Sequence, residues 1–122
     1  MKFTVEKKDK YCTFKLEEEK LLSINAPQLK SEFVLLNAEG FKNIVVDLSQ
    51  VKYVDSSGLS AILIGNRLCK DASGSFVLTN INENVKKLVS ISQLDSILTV
   101  IPSLKESVDF VLMEELERDL KG

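Results

Sequence analysis

The sequence has no histidine and no tryptophan. Without histidine, no Ser-His or Cys-His nucleophile pair can form within the chain, and no histidine-ligated metal site. Cysteine occurs twice, at Cys12 and Cys69, far apart and at no metal-ligand or redox spacing. The two read as small buried hydrophobes in a reducing compartment, and nothing in their spacing argues for a disulfide. There is no excess of basic residues: 16 Lys and Arg stand against 18 Asp and Glu, a net charge of −2. That balance excludes a basic nucleic-acid binder, so no direct nucleic-acid partner is expected. Long apolar runs are absent too. The longest, Leu59 to Ile64, is interrupted by Ser60 and falls far short of a membrane span. The opening residues Met1 to Glu6 have no apolar core of signal-peptide length. These absences predict a cytoplasmic protein with no membrane insertion, no metal and no cofactor.

What is present is an ordinary globular composition, 44% apolar and 28% charged over 122 residues. No repeat, low-complexity tract or linker divides it, and a single domain over residues 1–122 is expected. Strands are predicted at Phe3–Glu6, Lys10–Glu17, Leu21–Ile24, Asn43–Leu48, Ser75–Thr79 and Ile97–Ile101. Cys12, Phe14 and Leu16 alternate on one face of the second. The unbroken run Ile44-Val45-Val46 suits a central strand covered on both faces. Helices are predicted from Asn25-Ala26-Pro27 to Gly40, from about Ser57 to Lys70, from Asn82 to about Ile91, and from Leu104 to about Asp119. Asn25 and Asn82 stand as candidate caps, and Pro27 suits a first turn whose amides lack intrahelical acceptors. The alternation implies an α/β fold, a mixed and mostly parallel sheet with crossover helices packed on it. Lys7-Lys8, Lys86-Lys87 and the acidic end Met113–Asp119 read as solvated surface.

The densest signal is Asp47-Leu48-Ser49-Gln50-Val51-Lys52-Tyr53-Val54-Asp55-Ser56-Ser57-Gly58-Leu59, a buried strand, a short polar connection and a helix start. A helix start has free amide donors and partial positive charge. Either serine there can be a plain cap. It can equally accept a phosphate, which the helix terminus tolerates while a docked partner meets new bulk and charge. On the helix that follows, Ala61, Ile62, Ile64, Gly65, Leu68, Cys69 and Ala72 gather on one face. Ser60, Asn66, Arg67, Lys70 and Asp71 gather on the other. Leu59 and Leu63 fall among the polar residues and are candidates for a small apolar partner contact. A serine nucleophile needs a base, for which Lys52 is the candidate, and Asp-Ser-Ser-Gly is not a Gly-x-Ser-x-Gly elbow. No enzyme activity is expected.

The stretch Asp55-Ser56-Ser57-Gly58-Leu59, after Val45-Val46-Asp47-Leu48 and Tyr53-Val54, resembles the STAS domain of bacterial anti-sigma factor antagonists. The likeness runs over nearly the whole chain. Asn25-Ala26-Pro27-Gln28-Leu29 is similar to the family's first helix opening, and Ser75-Phe76-Val77-Leu78 with Asn84-Val85-Lys86-Lys87-Leu88 to its later strand and helix. Ile91-Ser92-Gln93-Leu94 is similar to the turn before its last strand. Leu21-Leu22 stands where family members often carry Leu-Asp. The resemblance implies partner switching. The unmodified protein binds an anti-sigma factor that is a serine kinase and so frees a sigma factor. Phosphorylation of Ser56 releases it, and a serine phosphatase reverses the change. It further implies that Asp55 is a polar neighbour at the partner surface, that Ser57 caps the helix and that Gly58 admits a close partner backbone; with the apolar candidates Leu59 and Leu63 the expected partner surface is Asp55, Ser56, Ser57, Gly58, Leu59 and Leu63. The alternative within the family is a STAS scaffold or accessory subunit, for example of a lipid transporter, that binds its partner constitutively.

Overall fold

The structure, a computed structural model, describes residues 1–122. Strands β1 (Phe3–Lys7), β2 (Cys12–Leu16), β4 (Ile44–Asp47), β6 (Phe76–Thr79) and β7 (Thr99–Ile101) form one sheet in the order β1-β2-β4-β6-β7. β1 and β2 are an antiparallel pair, with Val5 opposite Phe14. The remaining neighbours are parallel, with Phe14 beside Val46 and Val46 beside Leu78. Parallel neighbours need long crossovers. These are supplied by α1 (Ala26–Ala38), α2 (Ser56–Asp71) and α3 (Glu83–Ile91), and α4 (Leu104–Lys121) ends the chain. Two further strands, β3 (Lys20–Leu21) and β5 (Tyr53–Val54), pair in parallel beside the main sheet.

Strand alternation divides the core between the two faces of the sheet. Ile44, Val46, Phe76 and Leu78 join Phe33 of α1 and Ile62 and Cys69 of α2 in the larger cluster. Val45 and Val77 point the other way and meet Val111 of α4. The run Ile44-Val45-Val46 is thus unbroken because both faces are covered. Four aromatic rings cross the larger core in series: Phe3 stacks on Phe14, Phe14 tilts against Phe33, and Phe33 meets Phe76 edge-on at 5.5 Å. α2 can approach these rings only because residue 65 lacks a side chain. A Cβ on Gly65 would stand 2.6 Å from the Phe76 ring and 2.7 Å from that of Phe33.

Several local expectations are corrected. The strand expected over Leu21–Ile24 stops at Leu21, and Ile24 lies 90% exposed in a turn. Asn25 holds that turn instead of capping α1. Its Oδ1 accepts from the Leu22 amide at 2.7 Å, and its Nδ2 donates to the Lys20 carbonyl at 2.9 Å. Asn66, expected on the polar face of α2, is buried. Asn82 does cap α3, accepting from the Val85 amide at 2.8 Å, and Ser103 caps α4.

The largest correction concerns the acidic end of α4. Glu115 is buried at the strand-entry end of the sheet and is not surface. One of its oxygens accepts from Arg118 at 2.8 Å and from Asn43 at 3.1 Å, while the other lies 3.4 Å from the Lys42 ammonium. Asn43 Oδ1 in turn accepts from the Ser75 amide and from Arg118, and the Ser75 hydroxyl bonds Glu114. Asn43 and Ser75 immediately precede β4 and β6, so this network pins α4 to the starts of two central strands. The hydrogen bonds from Arg118 and Asn43 hold the Glu115 carboxyl at about 2, against the opposing effect of burial. Both cysteines are buried free thiols, and burial pushes each up to about 12, which leaves little thiolate to react. No helix is long and apolar enough to cross a membrane.

Candidate functional site

The opposite end of the strands carries the Asp-Ser-Ser-Gly segment. β5 brings the chain alongside β3, with Val54 beside Leu21, and the Asp55 amide donates to the Leu21 carbonyl at 3.1 Å. The chain then turns into α2 with Asp55 as the capping residue in extended backbone. Its Oδ1 accepts from the Gly58 amide at 2.8 Å and its Oδ2 from the Ser23 amide at 3.0 Å. One carboxylate therefore starts α2 and also ties down the turn before α1. Asp55 is a strut whose two oxygens are engaged within the fold.

With the cap taken by Asp55, both serines lie inside the first turn. Ser57 is not the cap that was expected. It is half-buried, whereas Ser56 is exposed. Gly58 is buried and faces inward. A Cβ there would stand 2.5 Å from the Leu21 carbonyl oxygen and 2.8 Å from the Leu21 side chain, so the glycine lets α2 close on β3. Leu59, expected as an apolar partner contact, is only 6% exposed and belongs to the core. The hundred-degree wheel places it among polar residues, but the core wraps further round α2 than one face. Leu63 is half-buried against the same core. Of the six residues singled out, Ser56 alone is exposed.

Exposed apolar surface near Ser56 comes from elsewhere. Ile24 follows the Ser23 that Asp55 holds, and Tyr53, 53% exposed, lies two residues before Asp55. A period-two reading hides Ile24 inside a strand, and only the Asn25 side-chain bonds reveal the turn.

Beside Ser56 an open cleft of about 350 Å³ separates the first turns of α1 and α2. Ser56, Ser57 and Ser60 line it from α2, and Ser23 and Lys30 from the α1 side. Ala26, Pro27 and Ala61 form its apolar wall. Lys30 was not visible as a site residue, since no sequence pattern says which face of α1 meets α2. No group of three or more Cys, Asp or Glu side chains could hold a metal ion. Lys52, the candidate base, pairs instead with Glu19 at 3.3 Å.

Comparison with known proteins agrees with this architecture. Residues 2–107 match the STAS domain family. BtrV of Bordetella bronchiseptica, which carries the name of an anti-sigma factor antagonist, is 31% identical over 64% of this chain and 67% of its own length. The crystal structure of a protein of the same designation from Thermotoga maritima superposes with a TM-score of 0.80 at 27% identity, covering 89% of this chain and 93% of that one. The anti-sigma factor antagonist SpoIIAA shares the fold at lower identity. Its unphosphorylated form gives a TM-score of 0.72 at 18% identity, covering 90% of this chain and 97% of that one. The phosphorylated form, from Bacillus, gives 0.70 at 20%, covering 90% and 99%.

Proposed function

Because the chain belongs to the STAS domain family, we propose that it is an anti-sigma factor antagonist working by partner switching, with residues 1–122 acting as a single STAS unit. The unmodified protein binds an anti-sigma factor that is itself a serine kinase, and a sigma factor is thereby freed. The kinase then moves the γ-phosphoryl of ATP onto the Ser56 oxygen, releasing ADP and the hydroxyl proton. The new dianion lies at the centre of the docked surface, and the partner leaves. A serine phosphatase restores the hydroxyl with water and releases inorganic phosphate. The protein contributes binding and an acceptor, not catalysis, and acts in the cytoplasm.

The observation that carries this reading is the environment of Ser56. Asp55 takes the capping role, Gly58 and Leu59 turn inward, and Ser56 is left exposed with no structural task. That SpoIIAA keeps one fold in unphosphorylated and phosphorylated forms supports a switch that adds charge without refolding. A constitutive STAS scaffold has no need of an unencumbered serine at this place.

Two immobilised baits, Ser56→Ala and Ser56→Asp, offered native lysate and read by mass spectrometry, test the proposal. A kinase-fold protein held by Ser56→Ala and lost by Ser56→Asp is the expected result. The same partners on both baits would make the protein a constitutive module.

A further inference from the structure

The α1–α2 cleft carries one charged side chain, Lys30, among neutral neighbours, and Ser56, Ser57, Ser60 and Ser23 supply four hydroxyls to it. Lys30 is exposed and takes part in none of the chain's six ion pairs. Other lysines near acidic groups are engaged: Lys7 with Glu39, Lys52 with Glu19 and Lys105 with Asp109. The one carboxylate adjoining Ser56, that of Asp55, is turned to the amides of Gly58 and Ser23. A free ammonium thus shares a cleft with a free hydroxyl.

We infer that Lys30 is the cationic partner of the phosphate on Ser56, drawing it into the cleft between the two helices. The inference rests on the reading of Ser56 as a phosphoacceptor. A phosphoserine dianion has three acceptor oxygens. Lys30 meets one with a charge-assisted bond, and Ser57 and Ser60 lie in the same cleft to donate to the others. The phosphate then occupies the cleft itself, so a partner that inserts a side chain between α1 and α2 is displaced by occupation as well as by charge. Lys30 is a positioning residue for the modified state.

The test installs phosphoserine at position 56 during translation and follows the phosphate by ³¹P NMR titration. Free phosphoserine loses its second proton near pH 6. An exposed ion pair that favours the dianion lowers that value by about half a unit. Lys30→Gln is therefore expected to raise the midpoint of the phosphorylated protein by about half a unit. Lys30→Arg should restore it, and Lys86→Gln on α3 should leave it unmoved. The Asp55 carboxylate acts on the phosphate equally in every variant and cancels in the comparison. An unchanged midpoint in Lys30→Gln overturns the inference. Because the phosphate is placed synthetically, that result is separate from failure of the parent reading. The parent reading fails if the phosphorylated protein still binds the kinase as the unmodified protein does.

Discussion

At the strand-entry end of the sheet, Glu115 is enclosed by Arg118, Asn43 and Lys42. At the other end, Asp55 accepts from the amides of Gly58 and Ser23 and leaves the next residue, Ser56, in solvent. Both ends use a carboxylate to saturate nearby donors. In the first, the donors come from α4 and from the two residues preceding β4, so the bonds close on themselves and fasten a helix. In the second, the donors are backbone amides of two segments far apart in the chain, so the bonds fix the chain's path and leave side chains over. A site for regulated modification needs the second arrangement, with a rigid frame and a hydroxyl that the frame does not use.

The contrast can be broken from either side, beginning with the frame of the open end. Gly58→Ala places a methyl against the Leu21 carbonyl and side chain. It is expected to cost about 3 kcal/mol in a urea melt, with loss of partner binding, because α2 must move off β3. Glu115→Gln, at the closed end, should cost about 2 kcal/mol at neutral pH, since Arg118 and Asn43 lose a charged acceptor. The folded carboxyl titrates at about 2 against an ordinary 4.5. Its contribution is therefore present above pH 4.5 and lost as the pH falls from there towards 2. The glutamine variant should show a flatter stability profile across that window, with partner binding at neutral pH intact. Asp55→Ala removes one cap and should cost about 1 kcal/mol by thermal denaturation. It should also raise hydrogen exchange at the Ser23 amide, which a simple cap loss on α2 would leave alone. Smallest of all, Ser57→Ala should change stability by less than about 0.5 kcal/mol, because Ser57 does not cap the helix.

Much of this contrast was legible before any coordinates. The order of strands and helices followed from β-branched runs, caps and breakers, and Asp-Ser-Ser-Gly after a buried strand marked the helix start, at which the family resemblance singled out Ser56. What escaped was set by contacts between distant residues. Leu59 and Asn66 were placed by a helical wheel that assumes one buried face, but α2 is enclosed over a wider arc. Glu115 lies in a charged run whose local pattern says surface. Its partners Asn43 and Lys42 are more than seventy residues away. Lys30 shares a cleft with Ser56 because α1 and α2 pack together, with Gly65 against the rings of Phe33 and Phe76. The internal tasks of Gly58 and Asp55 escaped because they depend on Leu21 and Ser23, which sequence reading places in an uninterrupted strand.

The most direct measurement is the calorimetric affinity of the protein, with and without phosphate on Ser56, for the kinase retained by the Ser56→Ala bait. The predicted result is a loss of about 100-fold on phosphorylation, from like-charge and desolvation costs at the docked surface, with the melting temperature of the free protein unchanged. Equal affinity of the two forms would contradict the account, and Ser56 would then be only the first residue of a well-capped helix.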